Sequence, residues 1–224
     1  MLNQQIRETI QAFRTSLPPE LSALIEQGAG EISALDIVEH ALRPGDRAPD
    51  FALPDRTGNT HRLTDYLAAG PLVVTFYRGV WCPFCNLQLK AYEERLDEIT
   101  ALGARVVALT PEEPGAYDIM EKAGAPAEVL GMAVRSVRFD VLQDRGNAVA
   151  RRFGLVFELP ESHRRLLSML NIDLEAVNGD ASFTFPDPAT YVVRPDGTIA
   201  WAFVPNNYRK RAEVDAILDA LRAL

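Results

Sequence analysis

Apolar residues recur at helical spacing through the first 43 positions, where no alternating run indicates a strand. Three stripes share this spacing and follow one another along the chain: Ile6 to Leu17, Leu21 to Ile25, and Ile32 to Leu42. Pro18 and Pro19 separate the first two helices, and the run Gly28-Ala29-Gly30 is expected to end the second. We predict a helical extension over residues 1–43, whose apolar stripes are covered either by the main domain or by a second copy of the chain in a homodimer.

Beyond residue 44 the pattern changes to short apolar runs that alternate with amphipathic stretches. The runs predicted to be strands are Phe51 to Leu53, Thr60 to Leu63, Leu72 to Tyr77, Arg105 to Thr110, Thr190 to Val193 and Thr198 to Val204. The stretches predicted to be helices are Asn86 to Leu102, Pro114 to Lys122, Arg145 to Phe153, Glu161 to Leu170, and a last helix that carries Val214 to Leu221. Because a helix links two apolar strands over residues 72–110, we expect a right-handed βαβ unit with parallel strands.

The order βαβ, connecting helix, ββα is that of an α/β thioredoxin-like fold, with a central mixed sheet flanked by helices. We place this fold in a single domain over residues 44–224. Residues 171–188 contain many turn formers and show no clear period. We therefore treat residues 155–187 as an insertion into the domain.

The only two cysteines of the chain, Cys82 and Cys85, form a C-x-x-C motif between the buried strand and the amphipathic helix. At a helix N-terminus, backbone N–H groups and the peptide dipoles stabilise an anion by roughly 0.3 to 2 kcal/mol. Since about 1.4 kcal/mol shifts a pKa by one unit, a thiol pKa near ~8.5 is expected to fall to about 7 to 8. Arg78 is the nearest cation in the sequence. The motif predicts a reactive thiolate at this junction.

Composition excludes several other classes of function. Asp and Glu number 31 against 23 Lys and Arg, which gives a net charge of -8 and argues against a nucleic-acid partner. The chain shows no export signal and no apolar run of membrane-spanning length, so we expect a cytoplasmic protein with no membrane partner. His40, His61 and His163 lack the spacing that would complete a zinc site with the two cysteines. We predict no metal and no cofactor.

Four segments of the main domain resemble one protein family. They are the opening Gly45 to Asp55 with Gly58, Thr75-Phe76-Tyr77, Asp144 to Asn147 with Phe153-Gly154, and Ala189 to Gly197. Together they resemble the peroxiredoxin-like branch of the thioredoxin superfamily, which is related to alkyl hydroperoxide reductase. The resemblance covers roughly residues 44–224, apart from the insertion, and implies a thiol-dependent antioxidant oxidoreductase.

The active loop departs from the family pattern P-x-x-x-T-x-x-C. The peroxide-reactive cysteine of that pattern falls on Cys85, its threonine on Cys82 and its proline on Arg78. The family's second arginine falls on Pro188, and a proline there resembles the cis-proline that faces the C-x-x-C motif of thioredoxins and glutaredoxins. Trp81 resembles the aromatic residue at the rim of such motifs. The chain thus combines a thioredoxin-like dithiol with a peroxiredoxin-like frame.

Two mechanisms follow from this resemblance, with the roles of the cysteines exchanged. In a peroxidase, Cys85 attacks a hydroperoxide, Cys82 resolves the sulfenic acid as a disulfide, and thioredoxin, glutaredoxin or glutathione restores the thiols. Arg78 and the loop N–H groups would then polarise the peroxide. In a disulfide reductase, Cys82 attacks a small disulfide substrate, Cys85 expels the product, and Pro188 shapes the docking groove. Overall similarity favours the peroxidase, while a redox sensor or a binding scaffold remains a third class.

Overall fold

The computed structural model describes residues 1–224, which form nine strands and twelve α-helices. The strands are β1 (Ala52–Pro54), β2 (Thr60–Arg62), β3 (Leu72–Phe76), β4 (Arg105–Thr110), β5 (Asp140–Gln143), β6 (Val156–Glu158), β7 (Thr184–Pro186), β8 (Thr190–Val193) and β9 (Ile199–Phe203). The first six helices are α1 (Leu2–Ser16), α2 (Pro19–Ser33), α3 (Ile37–His40), α4 (Leu63–Ala69), α5 (Pro83–Glu94) and α6 (Leu96–Ala101). The others are α7 (Ala116–Ala123), α8 (Ala127–Met132), α9 (Ala148–Arg152), α10 (Glu161–Met169), α11 (Leu174–Asn178) and α12 (Val214–Arg222). None of these helices combines the length and the apolar composition needed to cross a bilayer.

The centre of the molecule is a five-stranded mixed sheet with the order β5-β4-β3-β8-β9. Strand β3 pairs in parallel with β4 and antiparallel with β8, so that Val74 lies between Val107 and Tyr191. Every residue of β3 is buried, as expected for a strand that helices cover on both faces. The thioredoxin-like α/β fold and its parallel βαβ unit are therefore confirmed.

One predicted helix is divided in the structure, and some observed elements were not predicted. The helix expected to run from Asn86 to Leu102 is divided into α5 and α6 at Arg95, whose backbone is not helical (φ -115°, ψ 16°). The Arg95 side chain there binds Glu98 and Asp215. The edge strand β5 and the short helix α8 were not predicted, because each is too brief to establish a period.

The N-terminal helices pack on the rest of the chain. Helix α1 contacts α5 and helix α2 contacts α10, and Leu2, Ile6 and Ile32 belong to the same core as the active-site loop. The main domain therefore covers part of the apolar stripes within one copy of the chain, whereas Val38 remains 44% exposed. The expected helix end at residues 28–30 was wrong, since α2 continues to Ser33.

Residues 155–187 form a small unit with its own two-stranded sheet. Strands β6 and β7 pair antiparallel, with Phe157 opposite Phe185, and they enclose α10 and α11. The ring of Phe185 packs edge-on against Trp81 at a centroid distance of 5.3 Å. This unit and the N-terminal helices thus both lie beside the C-x-x-C motif.

Candidate active site

The two cysteines lie where β3 delivers the chain to the first turn of α5. Cys82 caps this helix and Pro83 occupies its first position, where a missing N–H costs nothing. The N–H groups of Cys85 and Asn86 donate to the Cys82 carbonyl at 3.0 and 3.1 Å. No N–H of the first turn donates to the Cys82 side chain. The expected contact between the helix N–H groups and this sulfur is therefore not present.

Two buried arginines take the place of that contact. The Nη2 group of Arg78 donates to Cys82 Sγ at 3.1 Å, and Nη2 of Arg211 donates to Cys85 Sγ at 3.4 Å. Arg78 is 2% exposed and Arg211 is fully buried. The Arg78 guanidinium also lies over the rings of Trp81 and Tyr208, at 4.9 and 4.1 Å from their centroids. Each sulfur therefore has its own fixed cation.

The pKa values of the two thiols are shifted in opposite directions. Burial acts to raise the pKa of Cys82, but the Cys85 thiol as a donor and the charges of Arg78 and Arg211 outweigh it and lower this pKa well below its usual range. Burial and the adjacent Cys82 anion raise the pKa of Cys85 well above its usual range. The two directions favour a pair that shares one proton, with the anion on Cys82 beside Arg78.

A buried carboxyl group fixes the loop that carries Arg78. Glu112, just beyond β4, accepts the N–H of Val80 at 2.6 Å through Oε2 and the Tyr77 hydroxyl at 3.0 Å through Oε1. Burial raises the pKa of Glu112. Asn86 adds a second tie, since its Nδ2 donates to the Val80 carbonyl at 2.6 Å. The loop is thus held from the sheet on one side and from α5 on the other.

Both sulfurs and the neighbouring tryptophan lie below the surface. Cys82 and Cys85 are fully buried and Trp81 is 3% exposed. The expectation that Trp81 lies at a rim was therefore wrong, because the N-terminal helices and the unit over residues 155–187 cover the motif. An apolar cavity of about 370 Å³ lies between these elements. Its walls include Phe13, Ile25, Arg78, Trp81, Leu166 and Tyr208.

The structure corrects the resemblance at Pro188. The chain contains no cis peptide bond, so Pro188 is not a cis-proline. It is buried just before β8, where the N–H of Ala189 donates back to the Asp187 carbonyl at 2.7 Å and closes a tight turn around the ring. Burial raises the pKa of the Asp187 carboxyl group to about 6, although the charges of Arg211 and Arg78 act to lower it. Asp187, rather than Pro188, is electrostatically linked to the site.

Sequence reasoning identified Cys82, Cys85, Arg78 and Trp81, which the structure brings together, but it missed Arg211 and Tyr208. Arg211 lies 126 positions from Cys85 and reaches it through a loop that has no periodic pattern. Glu112 carried a usable signal, because polar residues that follow parallel strands meet at one edge of the sheet. No group of three or more His, Cys, Asp or Glu side chains in the structure has the arrangement of a metal site.

Comparisons with known proteins found a family model and similar sequences. The model of the AhpC/TSA family matches residues 44–202. A peroxiredoxin of Mycobacterium tuberculosis is 38% identical over 73 residues, which are 33% of this chain and 46% of that protein. The peroxiredoxin Bcp of Escherichia coli is 31% identical over 114 residues, or 51% of this chain and 65% of that protein. The matched regions therefore span less than two thirds of either relative.

Solved structures share the fold. The crystal structure of peroxidoxin BcpB from Mycobacterium tuberculosis superposes with a TM-score of 0.59 at 22% identity, and covers 82% of this chain and 98% of that one. The reduced 2-Cys peroxiredoxin of Plasmodium vivax gives a TM-score of 0.58 at 15% identity, with 81% of each chain covered. At these identities the likeness concerns the fold alone.

Proposed function

Because this chain belongs to the AhpC/TSA family, we propose that it is a thiol-dependent peroxidase that reduces hydroperoxides through Cys82 and Cys85. The observation that carries the proposal is the contact of 3.1 Å between Arg78 Nη2 and Cys82 Sγ, beside a second thiol on the same helical turn. It supplies an ionised sulfur together with a partner that can close a disulfide.

The pattern of the family assigns the attack to Cys85, whereas the position of Arg78 supports Cys82. We therefore propose that Cys82 attacks and that Cys85 resolves. The Cys82 thiolate displaces an alkoxide from the hydroperoxide: the O–O bond breaks, an S–OH group forms, and the alkoxide takes up a proton to leave as an alcohol. Cys85, as its thiolate, then forms the disulfide and releases the sulfenic oxygen, which is protonated to water.

Arg78 has free donors for the peroxide. Its Nε and Nη1 groups are buried and make no hydrogen bond, while Nη2 binds the sulfur. One guanidinium can therefore hold the thiolate and also donate to the oxygens on which charge develops. The stacking of Arg78 on Trp81 and Tyr208 keeps the guanidinium group in one orientation.

The surroundings of the site support an organic hydroperoxide as substrate and an external dithiol or glutathione as reductant. The cavity beside Arg78 is lined mainly by apolar side chains, which suit a carbon-bearing peroxide better than a small polar one. This chain has no third cysteine to relay electrons, which supports thioredoxin, glutaredoxin or glutathione as their external source. A cytoplasmic location belongs to the proposal, because reducing compartments maintain such thiols.

A disulfide reductase is the second candidate, since an ionised Cys82 is also what attack on a disulfide requires. Two observations weigh against it. Both sulfurs are fully buried, and a protein disulfide would have to displace the covering helices to reach them. Pro188 is also not the cis-proline that the resemblance to thioredoxins and glutaredoxins suggested.

Titration of the reduced protein with tert-butyl hydroperoxide tests the proposal. One equivalent should consume both thiols, form the Cys82–Cys85 disulfide and release one equivalent of tert-butanol, and added thioredoxin with its reductase should restore the thiols. Persistence of both free thiols after exposure would contradict the peroxidase. If Cys85→Ser instead traps mixed disulfides through Cys82 while the wild type ignores peroxide, the disulfide reductase is correct.

A further inference from the structure

Arg211 lies in the loop before α12, and its own loop holds its side chain. The Nη1 group donates to the backbone carbonyls of Tyr208 and of Lys210, the latter at 2.8 Å, which leaves Nη2 directed at Cys85. These bonds hold the guanidinium relative to the loop, but they do not hold the loop relative to α5. The position of the cation beside Cys85 therefore depends on what anchors the loop.

One anchor is Tyr92 of α5, whose hydroxyl donates to the Ala212 carbonyl at 3.3 Å. A larger set of bonds comes from the first turn of α1. Asn3 makes a reciprocal pair with the backbone of Arg211: its Oδ1 accepts the Arg211 N–H at 3.0 Å and its Nδ2 donates to the Arg211 carbonyl at 2.8 Å. The carboxylate of Glu213 accepts the N–H groups of Leu2 and Asn3, each at 2.8 Å. Asn3 Nδ2 also donates to Glu213 Oε1 at 2.8 Å. Five hydrogen bonds thus join two segments that lie more than 200 positions apart.

We propose that the first turn of α1, through Asn3 and Glu213, positions the Arg211 guanidinium on Cys85 and so controls the step in which Cys85 closes the disulfide. This inference rests on the proposed function only for the identity of that step. Asn3 and Glu213 are positioning residues, because neither touches a sulfur. The N-terminal extension then positions an active-site arginine in addition to burying the site.

The division of labour between the arginines follows from their placement. Arg78 bonds Cys82 and Arg211 bonds Cys85, and of the two arginine charges Arg211 is the stronger influence in lowering the pKa of Cys85. The other groups that face Cys85 are Cys82 on the same turn and Tyr77 at the end of β3. A displacement of Arg211 should therefore raise the pKa of Cys85 more than that of Cys82.

The test measures the resolving thiol without peroxide. In a Cys82→Ser background, Asn3→Ala should raise the pKa of Cys85 by roughly one unit, read from thiolate absorbance at 240 nm and from the pH dependence of alkylation by iodoacetamide. Gln4→Ala is the matched control, since Gln4 is exposed and its side chain binds only Glu8. An unchanged Cys85 pKa in folded Asn3→Ala would overturn the proposal, whatever the melting temperature does.

A second variant and a second readout keep the proposal testable if Asn3→Ala fails to fold. Glu213→Gln has the same shape but presents an amide NH₂ to one of the two backbone donors, so it should raise the Cys85 pKa in the same direction by a smaller amount. In the otherwise wild-type protein, either variant should prolong the life of the Cys82 sulfenic acid severalfold at neutral pH, while attack on peroxide slows by a smaller factor because Arg211 also helps to lower the pKa of Cys82. Equal slowing of both steps would contradict a role confined to Arg211. If no sulfenic acid forms even in the wild type, the peroxidase proposal fails while the thiol measurement still stands.

Discussion

Removal of the Arg78 charge should suppress ionisation of Cys82 and slow its reactions. In Arg78→Met the side chain still fills the space between Trp81 and Tyr208, but the donor at 3.1 Å from the sulfur is lost. An opposite charge at such a distance typically lowers a pKa by about 1 to 3 units, or about 1.4 to 4 kcal/mol. Because burial already disfavours the anion, we expect the Cys82 pKa to rise by an amount within that range.

The effect on rate is smaller than the change in ionisation. When the pKa of a thiol lies above the ambient pH, each further unit of pKa reduces the thiolate fraction about tenfold. The remaining thiolate becomes more nucleophilic, with a Brønsted coefficient of about 0.4 to 0.5, which restores roughly threefold per unit. The loss of thiolate therefore dominates, and alkylation near neutral pH should slow by about three- to fourfold for each unit above it.

The assay is the rate of alkylation by iodoacetamide against pH in a Cys85→Ser background, together with thiolate absorbance at 240 nm. Arg78→Lys should shift the profile less, since it keeps a charge. Arg135→Met is the matched control, because Arg135 also stacks on an aromatic ring, that of Tyr117 at 4.4 Å, outside the set of groups that act on the cysteines. A Cys82 profile that is the same in Arg78→Met and in the control would refute the reasoning.

Two further predictions concern stability. A Cβ on Gly28 would lie 1.6 Å from Nδ1 of His163, so Gly28→Ala should lower the free energy of unfolding by about 1 to 3 kcal/mol. Gly30→Ala meets nothing within 4 Å in the same helix and should raise it by up to about 1 kcal/mol, and equal urea midpoints for the two variants would contradict this packing. Burial lowers the pKa of His163 to about 3, so below about pH 6.5 the unfolded chain binds a proton that the folded chain excludes. The stability difference between wild type and His163→Gln should therefore shift against the wild type as the pH falls, with a slope that approaches about 1.4 kcal/mol per pH unit below pH 6.5, and a constant difference from pH 7 to 5 would refute it. Asp187, whose raised pKa acts with the opposite sign between about pH 4 and 6, is common to both proteins and cancels in the comparison.

The sheet could be predicted because its central strands are continuous apolar runs. Strands β3 and β4 are buried almost throughout, so their hydrophobicity alone separates them from the helices. Arg95 shows the limit of this reasoning, since the helical period continues through it and only contacts with distant side chains reveal the bend. Gly28 shows a related limit: the sequence suggested a helix end, whereas the structure uses the missing side chain to let α2 approach His163.

The chemistry of the site could be predicted only in part. The C-x-x-C motif and the neighbouring Arg78 were identifiable, because they lie within a few positions of each other. Alignment with the family pattern left no second arginine, since Pro188 occupies its place. The structure supplies that charge from Arg211, in a loop that Asn3 anchors from the other end of the chain. Long-range placement of this kind has no periodic signal in a single sequence.

The most direct test of the central claim is to locate the first oxidised sulfur. The two single-cysteine proteins, Cys85→Ser and Cys82→Ser, are reduced and mixed with one equivalent of tert-butyl hydroperoxide and a sulfenic-acid trap, and the adducts are followed by mass spectrometry. The account predicts rapid trapping at Cys82 in Cys85→Ser and slow or no trapping at Cys85 in Cys82→Ser. Rapid trapping at Cys85 with an inert Cys82 would contradict it and restore the roles that the family pattern assigns.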